Sequence, residues 1–124
     1  MKRGKIFLVD DDYQLRDSLA LFLDESGFEV AEASNGAQAI QAIFDFKPDL
    51  LITDLMMPGM SGLSVLEKMK ERCPSMKIVV MSGLNDKNTK EKVHRLGAFT
   101  FLQKPVNLEQ IEQQVLNKIF KPLH

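Results

Sequence analysis

Lys5-Ile6-Phe7-Leu8-Val9 is an almost unbroken apolar run of strand-forming residues, the pattern of a parallel strand buried on both faces. Three aspartates end it. From Leu15 the apolar positions change period: Leu15, Leu19, Phe22 and Leu23 recur at helical spacing, and Gly27 stands where a helix C-terminus tolerates positive φ. Phe28 to Ala33 predicts a second strand, followed by a helix carrying Ile40, Ile43 and Phe44 on one side until Lys47-Pro48 stops it. Leu50-Leu51-Ile52-Thr53 predicts a third buried strand that delivers Asp54 at its end.

Met57-Pro58-Gly59 breaks the chain, Ser61 is placed to cap, and Gly62, Val65, Leu66 and Met69 mark one face of a third helix closed off by Pro74. Lys77 to Met81 predicts a fourth strand ending at Ser82-Gly83, and Phe99 to Leu102 a fifth ending at Lys104-Pro105. The helix between them, over residues 86–96, has only Val93 and Leu96 as apolar anchors and is expected to be loosely held. A fifth helix is capped by Asn107, with Leu108, Ile111, Val115 and Ile119 as its buried stripe. Strands alternating with helices over one domain length imply an α/β fold, a doubly wound five-stranded parallel sheet with helices on both faces and right-handed crossovers. Periodicity alone does not give the strand order.

At 124 residues the chain has room for one core, and no repeat or linker divides it, so residues 1–124 are read as one domain with a core over about 4–120. Apolar residues at 44% and charged residues at 27% are ordinary for a globular protein. Met1-Lys2-Arg3 resembles the start of an export signal, but only Ile6 to Val9 follow before the aspartates, so neither a signal nor a membrane span is expected. The single Cys73 offers no disulfide partner, which fits a reducing, cytoplasmic setting. Sixteen basic and 17 acidic residues leave a net charge of -1 and no basic run, arguing against direct nucleic-acid binding.

Ligands of open parallel sheets bind beyond the carboxyl ends of the strands. Asp10 and Asp11 follow the first strand, Asp54 ends the third, Ser82 the fourth and Lys104 the fifth, so all five groups share one edge. Clustered carboxylates repel, and a cation should bind there. Hard oxygen ligands suit magnesium, with Asp11 and Asp54 as direct ligands and Asp10 acting through water. Lys104 and the metal could neutralise a phosphoryl group near Asp54, the Ser82 hydroxyl could donate to it, and a carboxylate nucleophile can form an aspartyl phosphate.

Val9-Asp10-Asp11-Asp12, Thr53-Asp54-Leu55-Met56-Met57-Pro58-Gly59, Met81-Ser82-Gly83 and Lys104-Pro105 resemble, in order and each at a strand end, the motifs of response-regulator receiver domains. The resemblance covers essentially the whole chain. It implies a flavodoxin-like (βα)5 fold and phosphoryl transfer to Asp54 from the phosphohistidine of a sensor histidine kinase or a histidine phosphotransfer protein. It further implies magnesium held by Asp10, Asp11, Asp54 and the backbone carbonyl of Met56. Ser82 and Lys104 would sense the phosphoryl group, with Ser82 moving inward and the switch aromatic Phe101 turning with it; Phe101 cannot hydrogen-bond as a tyrosine would. The switched surface would be helix four, strand five and helix five. Met56 and Leu84 occupy positions that tune dephosphorylation, and two apolar side chains there are expected to shield the acyl phosphate from water.

Plainer readings apply elsewhere. Asp12 fits a helix cap better than a metal ligand, Met56, Met57 and Met60 fit packing apart from the Met56 carbonyl, and His94 fits a solvated side chain. Lys87, Lys90 and Lys92 read as a solvated face, and Cys73 as structural. Three other classes fit the sequence less well. A magnesium-dependent aspartyl-phosphate phosphatase needs a substrate cap for which no insertion is long enough; an FMN carrier would not present three aspartates to a phosphate; and a phosphate-independent interaction module does not need the intact Asp10, Asp11, Asp54, Ser82 and Lys104 set. The expected protein is a signalling domain that catalyses its own phosphorylation and dephosphorylation rather than a turnover enzyme. It would be a monomer or a phosphorylation-dependent dimer, without membrane contact, passing its signal to a downstream output domain or protein because the chain ends soon after the fifth helix.

Overall fold

The computed structural model describes residues 2–55, 62–83 and 87–120. Among these, five strands form one parallel sheet: β1 (Lys5–Val9), β2 (Glu29–Ala33), β3 (Leu50–Asp54), β4 (Lys77–Ser82) and β5 (Thr100–Gln103). Their order is β2-β1-β3-β4-β5. The chain therefore steps outward from β1 to β2, then returns to lay β3 on the other side, so the order reverses between β1 and β3. Helices α1 (Tyr13–Glu25), α2 (Gly36–Phe46), α3 (Gly62–Arg72) and α4 (Lys87–Arg95) connect the strands. A last helical run, α5 (residues 108–119), is α-helical over Leu108–Ile111, π-helical over Glu112–Leu116 and α-helical again over Asn117–Ile119.

Alternation along each strand divides the core in two. Phe7, Val9, Leu51, Ile78 and Val80 face α2, α3 and α4, where Ile43, Leu66, Met69 and Val93 meet them. Ile6, Leu8, Ile52, Val79 and Met81 face α1 and α5, against Leu19, Leu23, Ile111 and Val115. Both faces being covered explains why the strands read as continuous apolar runs.

The ends of the elements follow local chemistry. The Asp12 carboxylate accepts the N–H groups of Gln14 and Leu15 and starts α1, while Gly27 at φ 98° lets the chain turn into β2. Asn107 caps α5 by accepting the Gln110 N–H at 2.7 Å. The second strand begins at Glu29, with Phe28 fully buried just before it, and the fifth begins at Thr100 rather than Phe99.

Two expected core positions are exposed. Phe44 is 38% accessible, because Ile43 takes the inward position on α2 and Phe44 instead lies beneath the Arg72 guanidinium, 5.3 Å from its ring centre. Leu108 is 42% accessible; it is the first residue of α5, one turn before the packing contact made by Ile111. The wider π turn also advances the phase of the buried stripe, so that Leu116 joins Val115 inside while Ile119 is half-buried. Lys90, expected on a solvated face, is half-buried with its ammonium 5.7 Å from the centre of the Phe101 ring. The expected break at Met57-Pro58-Gly59, the Ser61 cap, Met60, the Met56 carbonyl, Leu84 and His124 lie outside the described residues.

Candidate functional site

Asp10 continues β1 and Asp54 ends β3, the two strands that flank the reversal of strand order. That reversal opens a crevice at the carboxyl edge where open α/β sheets hold their ligands. The backbone fixes the edge: Asp54 lies in register with Met81 of β4, the Leu55 N–H donates to the Met81 carbonyl at 3.0 Å, and the Lys104 N–H to the Ser82 carbonyl at 2.7 Å. The Lys104-Pro105 bond just beyond is cis.

Side chains then converge. Carboxylate oxygens of Asp10, Asp11 and Asp54 all lie within 4.8 Å of one another. Asp10 is 1% and Asp54 4% accessible, and Ser82 at the adjoining strand end is fully buried, whereas Asp11 is exposed. The Lys104 ammonium bridges the two buried acids, 3.0 Å from Asp10 Oδ2 and 3.0 Å from Asp54 Oδ2. The other Asp10 oxygen accepts the Asp12 N–H at 2.8 Å. The cation that the acid cluster calls for is thus partly supplied by the chain itself.

Burial pushes the Asp10 carboxyl above its ordinary 3.8; the Asp12 N–H and the Lys104 ammonium pull it down, and the Asp54 charge adds to the rise. For Lys104 burial acts downward, but its hydrogen bonds to Asp10 and Asp54 and the attraction of both charges prevail, holding it above 10.5. Lys104 therefore stays charged while Asp10 grips a proton more tightly than a free aspartate. The donor set fits a hard divalent cation: three carboxylates with oxygens within 4.8 Å of one another, one at the surface to admit it and two buried to hold it.

The structure thus brings Asp10, Asp11, Asp54 and Lys104 together and sets Ser82 beside them. Phe101 lies on β5 on the opposite sheet face from Leu102, half-buried over α4. Asp12 is turned to its helix, and His94 is exposed on α4. Two residues escaped the sequence reading. Thr53, fully buried, donates its hydroxyl to the Asp54 carbonyl at 3.2 Å, and Arg16 donates to the Asp10 carbonyl at 2.6 Å. The signal for Arg16 was its place four residues after the capping Asp12, one helical turn above the acidic loop.

A doubly wound sheet with an acid cluster and a lysine at its switch point defines a small α/β domain with a charged site at the carboxyl edge of its strands. The chain belongs to the response regulator receiver domain family, whose model matches residues 6–116. It is 31% identical over 123 residues to sporulation initiation phosphotransferase F of Bacillus subtilis, covering 99% of this chain and 98% of that protein. It is 34% identical over 110 residues to the DNA-binding transcriptional regulator NtrC of Escherichia coli K12, covering 89% of this chain but only 24% of that protein. The chain therefore spans about a quarter of the length of the NtrC relatives it matches. Among solved structures, a CheY-like response regulator receiver domain protein of Methanospirillum hungatei superposes with a TM-score of 0.88 at 28% identity, over 93% of this chain and 92% of that one. The fold is flavodoxin-like, and no described helix is long and apolar enough to cross a membrane.

Proposed function

We propose that this receiver domain takes a phosphoryl group on Asp54 from the phosphohistidine of a sensor histidine kinase or a histidine phosphotransfer protein. An Asp54 carboxylate oxygen attacks phosphorus, the phosphorus–nitrogen bond breaks, and its electron pair leaves with the imidazole, giving an acyl phosphate. The observation that carries this reading is the Lys104 ammonium bridging Asp54 and Asp10 at 3.0 Å each, inside a three-carboxylate cluster. Lys104 already stands beside the nucleophile, where it can follow the oxygens of an arriving phosphoryl group and offset their charge. Buried Asp54 is shielded from bulk water, and the buried Ser82 hydroxyl on the next strand is within one strand spacing to donate to a phosphoryl oxygen. The full-length match to a relative named a phosphotransferase supports the same chemistry.

Asp10, Asp11 and Asp54 would hold magnesium, together with the Met56 carbonyl. Bound there, magnesium would neutralise the charge shared by the carboxylate nucleophile and the phosphoryl oxygens. The domain acts as a signalling switch rather than a turnover enzyme. Ser82 and Phe101 carry the change to the α4, β5 and α5 surface, which meets an output domain or protein, and Met56 and Leu84 set how fast water reverses it.

Intact-mass measurement after incubation with a small acyl phosphate, with and without magnesium, on the parent and on Asp54→Asn tests the reading. One phosphoryl mass that needs both the metal and Asp54 is expected. If the parent gains no phosphoryl mass from either the acyl phosphate or a phosphohistidine donor, phosphoacceptor function is excluded.

A further inference from the structure

The peptide joining Asp10 to Asp11 is gripped from a direction the acid cluster does not explain. The Asp10 N–H donates to Ala33 of β2 at 3.2 Å, and its carbonyl accepts the Arg16 Nη1 at 2.6 Å. The same guanidinium turns its Nε to Glu32 Oε1, also on β2, at 3.1 Å. The Arg16 side chain is only 14% accessible, and the Tyr13 ring lies against it with its centre 5.6 Å away. One planar fork therefore ties the acidic loop to the edge strand.

Among the described residues no hydrogen bond or ion pair holds the Asp11 carboxylate, so the course of the backbone before it helps to set its direction toward Asp10 and Asp54. A peptide unit is planar, so holding the Asp10 carbonyl sets ψ of Asp10 and with it the direction in which the N–Cα bond of Asp11 leaves the peptide. We infer that Arg16 is a positioning residue for the divalent-cation site, setting Asp11 through the Asp10–Asp11 peptide, with Glu32 orienting Arg16 and cancelling its charge. The inference rests on the proposed metal-binding reading of the acid cluster.

Geometry and charge here predict opposite signs, which makes the role testable. An arginine acting only as a nearby positive charge would repel a divalent cation, and its loss would tighten binding. A positioning arginine, once lost, weakens binding, as groups supporting metal ligands generally do.

Calorimetric titration of the full chain with magnesium chloride, well below the melting temperature, compares the parent with Arg16→Ala, Arg16→Lys and Glu32→Gln. Arg16→Ala is expected to weaken magnesium binding about tenfold, Arg16→Lys nearly as much because an ammonium lacks the fork, and Glu32→Gln about threefold. Binding by Arg16→Ala within about twofold of the parent, or tighter than it, overturns the positioning role. Should that variant fail to fold, an unchanged Glu32→Gln affinity overturns it instead. A parent that takes no magnesium removes the metal reading as well, whereas a parent that binds and variants that match it remove the Arg16 role alone.

Discussion

Helix α1 and helix α4 both flank the carboxyl edge of the sheet, but they are held very differently. The 13 residues of α1 bury Leu19 and Leu23 completely and begin at a carboxylate cap beside Asp10. The nine residues of α4 bury Val93 alone, and the groove between α4 and β5, about 350 Å³, runs past Lys90, His94, Phe99 and Phe101. The acid cluster and its lysine bridge to Asp10 sit on the well-anchored side. The side that could exist in two nearly balanced arrangements is the one with a single anchor.

The sharpest way to break this contrast is to remove one anchor on each side. Leu23→Ala should cost about 3 kcal/mol of global stability, the ordinary price of a fully buried leucine truncated in a close-packed core. Val93→Ala should cost about 1.5 kcal/mol, and that cost should appear chiefly as faster amide hydrogen exchange in α4. Protection in β1 and β3 should be unchanged in Val93→Ala and uniformly reduced in Leu23→Ala. Equal loss of protection in α4 and the central strands of Val93→Ala would show that α4 does not open by itself.

Lys104 joins the two sides, reaching from the end of β5 to the acids just past β1 and at the end of β3. Lys104→Met leaves two buried carboxylates without their cation and should destabilise the metal-free protein at neutral pH by about 2 kcal/mol, less than for a fully enclosed pair because the ammonium is partly solvated. Both pKa displacements fix how this varies with pH. Asp10 binds its proton more tightly folded than unfolded, so stability is favoured below 3.8 and falls as pH rises through its folded value. Lys104 is also raised, so its contribution is complete below 10.5 and is lost as pH climbs through its higher folded value. The deficit of Lys104→Met should therefore shrink as acidification returns a proton to Asp10, and magnesium should restore part of the neutral-pH loss. Melting curves across pH, with and without magnesium, check both directions; a deficit that grows towards acid would contradict the bridge.

The strands and the edge they deliver were legible because both faces of the sheet are covered, so β1, β3 and β4 stand out as unbroken apolar runs that stop at Asp10, Asp54 and Ser82. Strand order was not, since apolar periodicity does not encode the side on which a crossover returns. Phe44 and Leu108 were misplaced for a related reason: helical spacing marks a stripe but not where the stripe ends. The π turn that brings Leu116 inward follows from packing, not from any residue in Glu112–Leu116 that announces it. Lys104 could be placed at its strand end, yet its bridging of Asp10 and Asp54 depends on residues 94 and 50 positions away. Arg16 reads as one more polar residue on a helix until Glu32, 16 residues on, is folded beside it.

Asp12 offers the smallest effect and the finest division of the acidic run. Its carboxylate faces α1, accepting Gln14 N–H at 3.1 Å and Leu15 N–H at 3.2 Å, while its own backbone N–H serves Asp10. Asp12→Ala keeps that N–H and removes only the cap, so it should cost about 1 kcal/mol. The rise in melting temperature produced by magnesium should stay as large as in the parent, because three neighbouring acids remain where they were. A magnesium response cut along with the stability would move Asp12 from the helix to the cation site, and the firm anchoring of α1 would then depend on the metal rather than precede it.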